Sequence, residues 1–170
     1  MKRIILTVLI IILFLNSYAQ VTYFTGEWTK INNEANFSGI LRLEIKDTVV
    51  TADILWIYRA IDSSDLQSLE YYRNKKGKMG IEYATGVYSP SNRDIVIQGQ
   101  VKSDPDLIIG LDKYLLKFSS DEQVIYGKTY SNGDKDGLVY FIKSTDHATP
   151  VEFAKQEIRL RTLSQQKALK

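Results

Sequence analysis

From Tyr23 to Lys143, apolar and polar side chains alternate one by one along a series of short runs. A strand turns successive side chains to opposite faces, so strict alternation over about five to eight residues marks a half-buried antiparallel strand. Phe37, Leu41, Leu43 and Ile45 share one face, and Arg42, Glu44 and Lys46 the other. Val50, Ala52, Ile54, Trp56 and Tyr58 repeat the pattern against Thr51, Asp53 and Arg59. Met79, Ile81, Tyr83, Thr85 and Val87 are expected to face inward, away from Lys78, Glu82 and Ala84. Ile95, Ile97, Gly99 and Val101 oppose Asp94, Gln98, Gln100 and Lys102, and Tyr114, Leu116 and Phe118 oppose Lys113, Lys117 and Ser119. Val124 to Tyr130 and Leu138 to Ile142 complete the series.

Turn chemistry separates the runs. Asn32-Asn33, Lys75-Lys76-Gly77, Ser89-Pro90-Ser91-Asn92, Ser103-Asp104-Pro105-Asp106, Ser119-Ser120-Asp121 and Asn132 to Gly137 all favour chain reversal. About nine strands at this spacing predict an all-β fold, a meandering antiparallel β-barrel. A two-sheet sandwich gives the same alternation. No helical segment intervenes, which disfavours a parallel βαβ design.

The period changes at Thr149. Thr149-Pro150-Val151-Glu152 has the form of a capping box with proline at the first helical position. Val151, Ala154, Ile158, Leu160 and Leu163 then form a loose apolar stripe at helical spacing. A C-terminal helix over 148–170, packed on a barrel domain of residues 20–147, is the expectation. The helix is basic and would also suit an anionic membrane surface, but Glu152 and Glu157 interrupt it.

Lys2 and Arg3, the apolar run Ile4 to Leu15, and Ser17 and Ala19 before Gln20 have the layout of a secretory signal peptide over residues 1–19. A spanning helix needs about 20 apolar residues, so the run is too short for an anchor. The expected location is therefore extracytoplasmic, periplasmic or secreted, with no transmembrane segment after cleavage. The chain has no cysteine, so neither disulfides nor thiolate metal sites are available to it. Loss of Lys2 and Arg3 lowers the basic count from 22 to 20, equal to the 20 acidic residues. A neutral chain with interleaved charges has no field for a phosphate backbone, which argues against nucleic acid as a partner.

Gly26-Glu27-Trp28 opens the first strand after the expected cleavage point. A Gly-x-Trp start, a run of hairpins and a C-terminal helix resemble the calycin superfamily of lipocalins, fatty-acid-binding proteins and avidins. The resemblance implies that Gly26 and Trp28 plug one end of the barrel and that Lys143 lies across the tryptophan ring, a cation–π contact of about 0.5–2 kcal/mol. It further implies a small, mostly apolar ligand inside the barrel. Trp28 equally suits an ordinary aromatic core position. The lipocalin Thr-Asp-Tyr signature is absent.

Chemistry-bearing residues are sparse. His147 is the single histidine, and tetrahedral zinc lacks partners for it; a linker residue is the favoured reading. Asn132, Asp134, Asp136 and Gly137 mimic the start of a calcium loop, but its twelfth position is Lys143, so a hairpin turn is favoured. Glu44 and Asp53 could stand close together, but both fall on the outer face. No cofactor or metal is implied.

The tyrosines Tyr58, Tyr71, Tyr83, Tyr114, Tyr126 and Tyr130 stand out as a group. Buried hydroxyls need partners, so they point to an internal network or a partly polar cavity. Trp56, Tyr83 and Tyr114 are the candidate ligand-lining residues if the barrel is hollow; a filled core is the alternative. Leu107-Ile108-Ile109-Gly110-Leu111 breaks the alternation. It reads as a short buried strand, an apolar loop over a barrel mouth, or an exposed patch for a protein partner through Leu107, Ile108 and Ile109. The leading expectation is a non-enzymatic carrier or sensor of a small ligand. A protein-interaction module with a filled core comes second, and a hydrolase without a recognisable motif third.

Overall fold

The alternating runs become eight antiparallel strands that close on themselves in chain order. The computed structural model describes residues 20–31, 35–60, 69–70 and 73–169. The expected signal segment, the Asn32-Asn33 turn and Tyr71 lie outside the described residues. The strands are β1 (Gln20–Lys30), β2 (Asn36–Lys46), β3 (Val49–Ala60), β4 (Met79–Ser89), β5 (Asp94–Ser103), β6 (Lys113–Phe118), β7 (Val124–Ser131) and β8 (Asp134–Lys143). Helix α1 follows, Ala148–Ala168. The meandering barrel with a C-terminal helix is thus borne out, with eight strands in place of about nine. The 107–111 run forms no strand.

Closure comes from β1, which pairs with β2 on one side (Trp28 opposite Phe37) and β8 on the other (Trp28 opposite Val139). Tight turns make the meander possible. Asn132 and Gly133 join β7 to β8 with φ of 51° and 92°, the positive pair that a two-residue hairpin turn demands.

Side chains fill most of the interior. Phe24, Leu41, Ile54, Tyr58, Ile95, Ile97, Ile125 and Phe141 are fully buried in one core. Phe37 meets Trp28 edge to face at 5.4 Å and Tyr58 at 5.2 Å, and Trp56 leans on Phe141 at 5.6 Å. Each such pair adds about 0.5–1.5 kcal/mol beyond the area it buries. Both indoles lie over glycines. A Cβ on Gly39 would meet the Trp56 ring at 2.6 Å, and one on Gly137 the Trp28 ring at 2.4 Å.

A second apolar layer lies outside the barrel. Phe153 and Leu160 of α1 pack with Leu55 and Ile81, flanked by Tyr23, Ile40, Met79 and Tyr83. This corrects the assignment of β4. Ile81 and Tyr83 point outward under the helix, whereas Glu82 and Ala84 point into the barrel. A strand covered on both faces loses the polar side that alternation relies on. The polar residue was therefore placed outside, and in this strand it is inside.

The helix differs from expectation too. Val151 and Ile158 are exposed, and the buried face is Thr149, Phe153, Gln156 and Leu160. Thr149 is not the cap; its hydroxyl bonds Ser144 Oγ at 2.7 Å. His147 flanks the first turn without a side-chain cap, and the Asp146 carboxylate accepts the Ala148 N–H at 2.8 Å. Among the described residues, no helix is long and apolar enough to cross a membrane.

Candidate functional site

One end of the barrel is built differently from the rest. In β5, Tyr83 faces Val101 but the next residue, Ala84, faces Gly99, so Gln100 is an extra residue in a bulge. A bulge resets the alternation beyond it. Val101, expected inside, is consequently 62% exposed, and Lys102 comes opposite Glu82.

The chain then turns at Asp104 and lays residues 104–112 over the barrel mouth. The Asp104 side chain is wholly buried. Its two oxygens accept the N–H groups of Ile108 and Ile109, each at 2.9 Å. Lys102 reaches Asp104 at 3.5 Å and also donates to the Ile109 carbonyl. Ile108 is thereby pressed into the core, 5% exposed, while Leu107 points to solvent. Of the readings open to Leu107, Ile108 and Ile109, the apolar loop over a barrel mouth is the one seen: the segment is a plug, with Ile108 inside and Ile109 packed against the core, and not a fully exposed patch. Burying two isoleucines on the open barrel end gains more than exposing them would.

Beneath the plug lies Glu82, 1% exposed. Its Oε1 accepts the Asp112 N–H at 2.9 Å, and its Oε2 accepts the Tyr114 hydroxyl. The Trp56 indole stands beside Tyr114 and slightly favours its charged form. Gly99 makes this possible, because a Cβ there would come within 1.8 Å of Glu82 Oε1. Burial pushes the Glu82 carboxyl up to about 8, against the opposing pull of the two hydrogen bonds. Burial, then the nearby Asp136 charge, raises Asp112 to about 6, while a bond to Ser131 holds it back. Burial and the Glu82 charge raise the Tyr114 phenol well above its ordinary value.

These groups enclose a cavity of about 100 Å³. Trp28, Phe37, Trp56 and Tyr114 form aromatic walls; Glu82, Asp112, Ser131 and Asp136 supply polar atoms; Ile108, Ile109 and Gly110 form the roof. Gly110 is exposed, so the roof is also the way to solvent. Trp28 is fixed by a bond from its indole N–H to Thr129 Oγ1 at 2.8 Å, deep in the core.

Of the three candidate lining residues, Trp56 and Tyr114 stand at this cavity and Tyr83 does not. Tyr83 lies under α1, where Arg161 covers its ring at 4.9 Å and donates to its hydroxyl at 2.9 Å. Gly26 and Trp28 lie where β1 meets β8, and a Cβ on Gly26 would strike the Tyr140 carbonyl at 2.0 Å. Lys143 pairs with Phe24, four residues along β1 from Trp28, so the strand register separates it from the indole. Glu44 and Asp53 do not form a lone acid pair, because Arg42 bridges them at 3.0 and 2.9 Å on the outer face. His147 is exposed.

Glu82, Asp112, Asp136 and Asp104 were missed from the sequence. The only signal for Glu82 was its position in an otherwise apolar run. Asp112 and Asp136 are assembled by the plug and the last hairpin, which no local pattern reveals. Among the described residues, no group of three or more His, Cys, Asp or Glu is arranged to hold a metal ion. Compared with protein-family models, with curated proteins and with solved structures, the chain matches none.

Proposed function

We propose that this protein is a binding barrel for a small ligand, held in the mouth cavity between Trp28, Trp56 and Tyr114 under the 104–112 plug. The observation that carries the reading is the cavity itself. Aromatic walls converge there with polar groups of perturbed acidity. Such a combination is the usual physical mark of a ligand site.

Its size limits the ligand. An engineered cavity of about 150 Å³ accepts benzene, with its six carbons, so about 100 Å³ calls for a smaller molecule, of about four non-hydrogen atoms or fewer. This narrows the apolar ligand expected from the calycin resemblance, since a fatty acid has no space in such a core. The closed up-and-down barrel, its C-terminal helix and the Gly26-Glu27-Trp28 start support membership of that superfamily; the position of Lys143 does not. The signal-like pattern of residues 1–19 supports work outside the cytoplasm.

The test is a native mass spectrum of the protein isolated from its own cells, compared with the same sample denatured. An added small mass that vanishes on denaturation supports the reading. A bare chain that also gains no mass from a library of small molecules counts against it.

A second reading has one observation behind it. The outer face of β6, β7 and β8 exposes Leu115, Tyr126, Leu138, Tyr140 and Ile142. Tyr126 and Tyr140 are cross-strand partners at its centre. An apolar face of this kind suits a protein partner, and loss of a pulled-down partner on Tyr140→Lys would support that role.

A further inference from the structure

We propose that the ligand of the mouth cavity is a small organic cation of the ammonium class; this rests on the cavity being a binding site at all. The residues lining the cavity include three acids, Glu82, Asp112 and Asp136, and no lysine, arginine or histidine. Four aromatic residues, Trp28, Phe37, Trp56 and Tyr114, stand beside them. Trp28 stands at 77° to Phe37, and Phe37 at 74° to Trp56, with centroids 5.4 and 6.4 Å apart. Rings set at such steep angles meet edge to face rather than as a stack. The face of an aromatic ring carries partial negative charge and attracts a cation, most strongly for tryptophan.

Each other ligand class fits worse. An anion would meet three acids, Glu82 buried and Asp112 and Asp136 half-buried. A neutral apolar molecule would cover Asp112 and Asp136 and supply no charge to offset their loss of water. A bare metal ion needs converging oxygen or nitrogen donors, and the acids here are not so grouped. A compact ammonium ion satisfies both surfaces, offering charge to the carboxylates and alkyl groups to the rings. Lys102 is the nearest base. It is bound to Asp104 and the Ile109 carbonyl at the plug, outside the lining.

Binding should also expel protons. Glu82 and Asp112 both hold theirs more tightly than ordinary carboxyls, and an entering cation favours their charged forms. The groups that face Glu82 are Tyr114 and Asp112 from β6 and its approach, and Lys102 from β5; Asp112 also faces Ser131 of β7 and Asp136 of β8. None of these except Lys102 supplies positive charge, so affinity for a cation should rise as pH climbs from about 5 to about 9.

The chain has two tryptophans and both line the cavity, so intrinsic fluorescence reports on it directly. The experiment titrates the protein with methylammonium and ethylammonium chloride at constant ionic strength, and separately with their neutral counterparts methanol and ethanol. The proposal expects the cations to bind at least about tenfold tighter than the neutral molecules. Asp112→Asn and Asp136→Asn should each erase that preference, while Asp121→Asn, in the turn at the opposite end of the barrel, should leave it. Circular dichroism checks that each variant is folded, and either of the first two suffices. Binding of the neutral molecules as tightly as the cations overturns the cation proposal and leaves the site standing. A fluorescence signal that answers to no molecule of either set overturns both.

Discussion

The Tyr114 hydroxyl donates to the Glu82 carboxyl inside the barrel, and both residues are almost fully shielded from solvent. Few arrangements place an acid at the bottom of an aromatic cavity more securely. The acid is held by one hydroxyl and one backbone N–H, with a glycine across the sheet to admit it. Its proton should therefore be coupled to folding.

The direction of that coupling follows from the raised value. An unfolded glutamate loses its proton near 4.5, and Glu82 in the folded protein near about 8. Below pH 4.5 both states are protonated and the full stability is present. Between the two values only the unfolded state has released its proton, so stability falls as pH rises, and it levels off above about 8. Glu82→Gln should flatten this profile, removing on the order of 3–4 kcal/mol of the loss between pH 5 and pH 8. A shallower slope of the same sign should persist at lower pH from Asp112. Urea midpoints at three pH values measure it; an unchanged slope would show that Glu82 is ionised in the fold.

Thr129 exists in the core for one evident purpose, to accept the Trp28 indole N–H. Thr129→Val keeps the shape and orphans the donor. The expected cost is about 1–3 kcal/mol in unfolding free energy, together with a shift in tryptophan emission. A cost below about 0.5 kcal/mol would mean that the indole finds another acceptor.

Asp104 ties down the plug by two backbone amides. Asp104→Ala should free residues 104–112 while the barrel holds. Hydrogen exchange at the Ile108 and Ile109 amides should quicken by at least about tenfold, with the Leu41 amide in β2 unaffected. Equal acceleration at Leu41 would mean that the carboxylate supports the whole barrel.

These residues also mark how far the sequence could be read. The strands were legible because most of them bury one face and wet the other, so that Leu41 against Arg42 or Leu116 against Lys117 declares its side. β4 was misread because α1 covers its outer face, and Tyr83 beside Glu82 then gives no sign of which is inside. Val101 was misread because a single extra residue, Gln100, turns the end of β5 over. The helix was foreseen and Leu160 of its expected stripe is buried, but Phe153, outside that stripe, shares the buried face while Val151 and Ile158 are exposed. Trp56 and Tyr114 could be picked as cavity residues from an alternating strand. Their acidic neighbours could not, because Glu82, Asp112 and Asp136 lie on three separate segments that only closure of the barrel brings together.

The most direct measurement is a pair of nitrogen–proton correlation spectra following the two indole N–H signals, Trp28 and Trp56, as small molecules are added. The same titration is run on Ile109→Phe, whose larger ring fills the roof of the cavity. A ligand for the mouth cavity should shift both indole signals in the native protein and neither in the variant, with the backbone spectrum otherwise retained. Ligands that move other signals alone, or that bind Ile109→Phe equally well, would contradict a site at the mouth of the barrel.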